Sequence, residues 1–286
     1  MDLYNISFDM EDWYDISIEN DTDGLEPYLS TTFLVTSCIV SSIGLPLTLL
    51  AIYALYSLVQ ENNVAPVYVI NLLISDLIQM CCLVIWVENP RIIMFVVSAI
   101  IYSIGLMASV GFMVCVAMER YLVIACPLWY RFRRNINITG VVCFTVWVLP
   151  LLVAFLNYYI FISYFSSPHI LLSIYLLVPF PLLIFFLAGT VKALSSSISV
   201  PPEEKRRIVG TLVLVLLNYT LLFLPTIILY ISADTRTDTY NPVQSTLLQL
   251  SPLMDLVLYI FMKKGAVDKL LGYLCRCRMT TEQEQG

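Results

Sequence analysis

Charge is scarce in this chain, and the places where it is missing organise everything else. Only 13% of the 286 residues are Asp, Glu, Lys or Arg, while 59% are hydrophobic and the mean hydropathy is +0.84. A soluble domain carries about 25% charged residues, so this chain is too poor in polar groups to cover a water-facing core. The formal charge of -6 is unevenly spread, with nine of the 21 carboxylates in the first 26 residues and no Lys or Arg among them. No basic stripe is present of the kind that neutralises phosphates, which excludes nucleic-acid binding. A single histidine and the absence of metal-spaced Cys/His clusters exclude a zinc-type centre, and no catalytic set of side chains is visible. These absences leave a membrane protein that is not an enzyme.

The uncharged runs count the spans, because about 20 apolar residues cross the hydrocarbon layer. A first span lies near 31–58, between Glu26 and Glu61, and a second near 65–87 is interrupted only by Asp76. Arg91 and Glu119 bracket a third. From Asn135 to Val191 no charged residue appears for 57 residues, far too long for one crossing at about 1.5 Å per residue. A polar hinge around Ser163, Pro168 and His169 divides it into a fourth span near 138–160 and a fifth near 170–194. Arg207 and Asp234 enclose a sixth, and residues 239–262 form a seventh with Asp255 inside it. The expected fold is an all-α bundle of seven transmembrane helices, with a short amphipathic helix after the last. No Lys lies in the seventh span, which excludes a retinal Schiff base there. No duplication relates the two halves of the chain, which weakens a transporter reading.

Orientation follows from Lys and Arg near the span ends. With the N-terminus outside, 13 basic residues fall on the cytoplasmic side and only Arg91 and Arg236 on the other. Residues 1–30 then form an extracellular acidic tail, 31–262 the bundle, and 263–286 a cytoplasmic helix and tail. Met1 is followed by acids and not by a basic and apolar leader, so the first span is expected to serve as the insertion signal. The triplets Asn5-Ile6-Ser7 and Asn20-Asp21-Thr22 are glycosylation sequons on the outer side. A third match, Asn218-Tyr219-Thr220, falls inside the sixth span and is discounted. Cys275 and Cys277 follow an amphipathic stretch beside Arg276 and Arg278, a setting for palmitoylation or for ordinary reduced thiols.

Several residues stand at recognisable places in these spans. Asp76 ends the run Asn71-Leu72-Leu73-Ile74-Ser75-Asp76, and a mid-span carboxylate costs about 2.5–3.5 kcal/mol on insertion scales, so it needs a partner or a role. The third span closes in Glu119-Arg120-Tyr121, followed by Pro127-Leu128-Trp129-Tyr130 and, in the fourth span, Trp147. Pro181 lies in the fifth span, Pro225 in the sixth, and the seventh reads Asp255-Leu256-Val257-Leu258-Tyr259. Over residues 31–275 this pattern resembles the rhodopsin-like (class A) G-protein-coupled receptors, and within them the branch holding nucleotide, proton-sensing, protease-activated and lipid receptors.

The resemblance implies roles. Glu119 would hold Arg120 until activation releases it toward a heterotrimeric G protein, with Tyr121 completing the motif. Tyr259, Phe223, Pro181 and Pro225 would belong to the same switching machinery. Asp76, Ser109, Ser251 and Asp255 would form a sodium pocket of oxygen ligands, the spacing of Ser251 and Asp255 placing both on one helical face. A proton shared by the two acids is the equal alternative. No other cofactor is implied.

Departures from the pattern are equally specific. The eight cysteines stand at 38, 81, 82, 115, 126, 143, 275 and 277, so the expected outer disulfide is missing and Phe95 occupies its third-helix position. Thr48 replaces an Asn, Phe223 a Trp, Gly189 a Tyr and Leu256 a Pro. Tyr102 stands where amine receptors carry an Asp, which argues against biogenic amines. No Lys or Arg in the outer halves of the spans argues against a nucleotide. Trp86, Tyr102, Asn157, Tyr175, Tyr230 and Gln249 are the candidates for an outer pocket, although aromatic residues on helix faces serve packing as readily. A lipid, a peptide or protons fit such a lining better. The acidic tail, with Tyr4, Tyr14 and Tyr28 as sulfation candidates, would steer a cationic peptide or remain a solvated tail. The expected function is a cell-surface receptor in contact with membrane lipid. The alternative is a receptor fold that no longer signals and acts as a scavenger or a dimer partner; a transporter is the remoter reading.

Overall fold

The computed structural model describes residues 31–62, 67–88, 91–126, 136–164, 169–196, 202–232 and 242–262. The tail Asn5 and Asn20 belong to, the loop with Trp129, and the segment with Cys275 and Cys277 lie outside the described residues. Helices α1 (Thr31–Asn62), α2 (Val67–Val87), α3 (Ile92–Ala125) and α4 (Ile136–Tyr164) make four spans. The fifth is divided into α5 (His169–Leu177) and α6 (Pro179–Ser196), and the sixth is α7 (Pro202–Ser232). The seventh is divided into α8 (Pro242–Gln249) and α9 (Ser251–Met262). Six spans are long and apolar enough to cross a membrane, and residues 245–260 supply the shorter seventh.

Both divisions fall at prolines. Pro179 and Pro181 occupy the first turn of α6, where the missing N–H costs nothing because first-turn amides have no helical acceptor. In the seventh span Pro252 has no N–H for the carbonyl of Leu248, and the chain turns at Leu250. The Leu250 carbonyl accepts from the amides of Leu253 (3.1 Å) and Met254 (3.2 Å), restarting the helix. The break is set by Pro252, while Leu256, at the family's proline position, sits in unbroken helix.

The two ends of the bundle are called here the basic end, which carries Arg120, and the opposite end. Helix α3 is the axis, against which α2, α4 and α6 all pack. Its residues Ala108, Val110, Phe112, Met113 and Val116 are fully buried, and Leu72, Leu83, Val215, Tyr219 and Phe223 close around them. Small residues permit the close approach: a Cβ at Gly105 would meet Gln79 Cγ at 3.1 Å and the Ser75 carbonyl at 3.3 Å. The perimeter is apolar and exposed, including Tyr53, Ile93, Val141, Phe144, Phe155 and Phe185. A surface of that kind suits hydrocarbon as solvent and not water. Helix α4 is the least enclosed, and Trp147 ties it in by donating from Nε1 to Asn71 Oδ1 at 3.0 Å.

Candidate functional site

A buried polar cluster occupies the middle of the bundle. Asp76 from α2 and Asp255 from α9 are fully buried and face one another. Two carboxylates in that setting repel unless a positive charge, proton or cation, lies with them. The two are solvated very differently by the protein. Asp255 accepts from Ser109 Oγ at 2.8 Å and from Asn218 Nδ2 at 2.8 Å, one donor to each oxygen. Asp76 accepts from Gln79 Nε2 at 3.4 Å and lies within hydrogen-bonding reach of Ser109, while its Oδ2 has no hydrogen-bond partner. Three further buried oxygens, Ser251 Oγ, Asn218 Oδ1 and Gln79 Oε1, are likewise without one. Buried oxygens left unpaired cost free energy; the Gln79 and Asn218 amides already touch the two carboxylates and Ser251 lies one helical turn from Asp255, a donor set that fits a hard cation with oxygen ligands. Among the described residues no group of three or more His, Cys, Asp and Glu converges, so carboxylate, hydroxyl and amide oxygens are the donors on offer.

Seven residues singled out from the sequence for switching are spread over α3, α6, α7 and α9. Glu119, Arg120 and Tyr121 sit half-buried at the basic end of α3. The Nε of Arg120 is buried with no hydrogen-bond partner. The Tyr121 ring packs against Phe185 and Phe186 of α6, with centroids 5.9 and 5.7 Å apart. Gly189 lies directly under it: a Cβ there would come within 2.6 Å of Tyr121 Cε2. The Tyr121 ring thus occupies the space that a side chain at position 189 would need. Tyr259 is buried with its hydroxyl unpaired, and Phe223 stacks on Tyr219 at 5.0 Å. Pro225 is half-buried within α7, and Pro181 is exposed at the start of α6.

The outer candidates are placed less uniformly. Trp86 donates from Nε1 to Ser98 Oγ at 2.7 Å, and Ser98 donates on to the Phe95 carbonyl at 2.9 Å. The Trp86 ring lies 5.5 Å from Phe33, 5.7 Å from Phe95 and 4.9 Å from Tyr102. Trp86 and Tyr102 are therefore buried in helix packing. Tyr175 donates its hydroxyl to the Met107 carbonyl at 3.0 Å. Gln249 is buried with both amide atoms unpaired, and Asn157 Oδ1 is unpaired as well. Tyr230 lies on α7, with its side chain outside the described residues.

Sequence reading had passed over two members of the central cluster. Asn218 was discounted as a misplaced sequon, yet a carboxamide in the middle of an apolar span is itself the signal of a buried partner. Gln79, one turn from Asp76 on the same face, carries the same signal.

Seven apolar spans, a buried carboxylate pair and an arginine at the basic end of the third helix define a seven-helix membrane receptor. The chain belongs to the 7 transmembrane receptor (rhodopsin family), whose family model matches residues 47–260. It is similar to Mas-related G-protein coupled receptor member A4 of Mus musculus, 30% identical over 121 residues, 40% of this chain and 38% of that protein. It is also similar to Mas-related G-protein coupled receptor member X1 of Homo sapiens, 30% identical over 144 residues, 49% of this chain and 44% of that protein. G-protein coupled receptor 68 of Mus musculus is 28% identical over 145 residues, 47% of this chain and 38% of that protein. The chain thus spans less than half the length of each of these relatives.

Proposed function

We propose that this protein is a plasma-membrane receptor, N-terminus outside, that passes an extracellular ligand signal to heterotrimeric G proteins. The observation that carries the reading is Arg120, whose guanidinium stands at the basic end of the axial helix with its buried Nε unsatisfied. Such a group is poised to gain a partner when the neighbouring helices part. Family membership and the names of the relatives support the same role. Ligand binding biases a two-state bundle by fitting one state better. The unpaired amide of Gln249 and the oxygen of Asn157 offer neutral hydrogen-bonding groups to a ligand. Among the described outer residues Arg91 is an exposed cation at the very start of α3, and the helix halves below it carry none, so an apolar lipid or a peptide suits the lining better than a nucleotide or an amine.

Sodium is part of this proposal. Asp76, Ser251, Ser109 and Asp255 would hold the ion, and bound there it would supply the positive charge that the carboxylate pair lacks. A shared proton would do the same. Asn5 and Asn20 as glycosylation sites, and Cys275 and Cys277 as palmitoylation sites, complete the reading for the tails.

G-protein dissociation sensors in cells, comparing the parent with Arg120→Ala at matched surface levels, test it. Basal or serum-evoked coupling that disappears in the variant is expected. Coupling that survives the variant overturns the role of Arg120. Silence of both proteins across all G-protein classes favours the non-signalling scavenger or dimer partner, for which the ring of Tyr121 over Gly189 is the structural argument.

A further inference from the structure

Asn218 and Tyr219 are neighbours on α7 that fasten it in two directions. The Tyr219 hydroxyl donates to the Leu176 carbonyl at the end of α5, where the last carbonyls lack helical partners. The Asn218 amide donates to Asp255 of α9 at 2.8 Å, and both residues are fully buried. An amide donating to a carboxylate in a low-dielectric interior is among the stronger hydrogen bonds a protein makes. Pro225 lies two turns from Asn218 toward the opposite end. Its missing N–H leaves the Leu221 carbonyl without a helical partner, which makes this the place where α7 bends most easily. The arm from 202 to 221, on the basic side of that bend, is therefore free to swing except where side chains hold it.

We propose that Asn218 is the positioning residue that locks this arm to the carboxylate pair, so that losing its bond to Asp255 releases the sixth span. The inference rests on the receptor reading for its consequence, but the latch itself is a property of the bundle. It also makes the pair asymmetric. Asp255 is the carboxyl held by two helices at once, through Ser109 and Asn218, while Asp76 is left to the exchangeable positive charge. Whatever moves Asp255 moves the arm.

The test uses the full chain, purified in lipid nanodiscs, with spin labels on unnatural side chains at Gly140 of α4 and Gly210 of α7. A side chain at either position meets nothing within 4 Å, and both lie toward the basic end. Asn218→Leu keeps the volume and removes the donor. Asn218→Asp sets a further carboxylate against Asp255. In the pair Asn218→Asp with Asp255→Asn, the new carboxamide keeps an acceptor for Ser109 and gives its N–H to the new carboxylate, restoring the bond with roles exchanged. Both single variants are expected to add a longer-distance population between the labels, and the exchanged pair to remove it again. A helix loosened merely by poor packing would show no such recovery. Unchanged distances in the single variants, or no recovery in the pair, overturn the latch. If Asn218→Leu does not fold, Asn218→Asp and the pair carry the comparison alone. Basal coupling of the two single variants, read separately by G-protein sensors, is expected to rise about five-fold or more, and that of the exchanged pair to return toward the parent. Labels that move without any coupling overturn the receptor reading and leave the latch standing.

Discussion

The middle of the bundle and its aromatic corner near Trp86 both lie in the interior, yet they are held together by opposite means. Around Trp86 the indole donates to Ser98, Ser98 donates to the Phe95 carbonyl, and rings pack on three sides. Phe95, standing where the family places a disulfide cysteine, joins α3 to α2 through ring contact. Around the carboxylates the polar groups outnumber their partners, with oxygens of Asp76, Ser251, Gln79 and Asn218 left unpaired. A satisfied cluster has one arrangement to prefer; an unsatisfied one has its preference set by what arrives. The difference separates a corner that fixes helix positions from a centre that can exchange one state for another.

Four measurements would break or sharpen that contrast. Trp86→Ala removes three ring contacts and leaves a cavity, and should cost about 3–5 kcal/mol of stability at every sodium concentration, seen as the largest fall in the unfolding temperature of purified protein. If that fall depends on sodium, the two regions are not independent. Gly189→Ala drives a methyl into the Tyr121 ring and should cost about 1–3 kcal/mol, a loss that Tyr121→Leu in the same chain should largely erase. Asp76→Asn should abolish a sodium-specific stabilisation of about 1.4 kcal/mol at an ion concentration ten times its Kd, read against choline chloride at equal ionic strength. Equal responses of parent and variant to the two salts would remove sodium from the centre. Ser98→Ala leaves the Trp86 indole unpaired and should have the smallest effect, about 1 kcal/mol, again without salt dependence.

The spans were legible because charge and apolarity are properties of single residues. The gaps between charged positions, with one polar hinge to divide the longest, placed all seven within a few residues of the helices found. What hydropathy does not encode is who meets whom. Leu256 was read as the seventh-span anomaly, while the actual break follows Pro252, one turn earlier, because it depends on which amide a particular carbonyl loses. Ser109, Ser251, Asp76 and Asp255 were drawn together by resemblance, and the structure sets Ser109 on Asp255 and Asp76 facing it. Asn218 had no family position to announce it. Trp86 and Tyr102 show the complementary limit: an aromatic on a helix face carries the same letter whether it awaits a ligand or completes a corner.

The divided seventh span has a consequence for how the protein is made. Its two helices are short, and they carry Gln249, Ser251 and Asp255 through the thickness of the membrane. A carboxylate at that depth weighs against partitioning from the translocation channel into lipid by about 2.5–3.5 kcal/mol. The six earlier spans have emerged from the ribosome by then, and they hold Ser109 and Asn218 ready for that carboxylate. The last helix therefore enters the bilayer as a guest of the others, and biogenesis of this chain ends with assembly where it began with simple insertion.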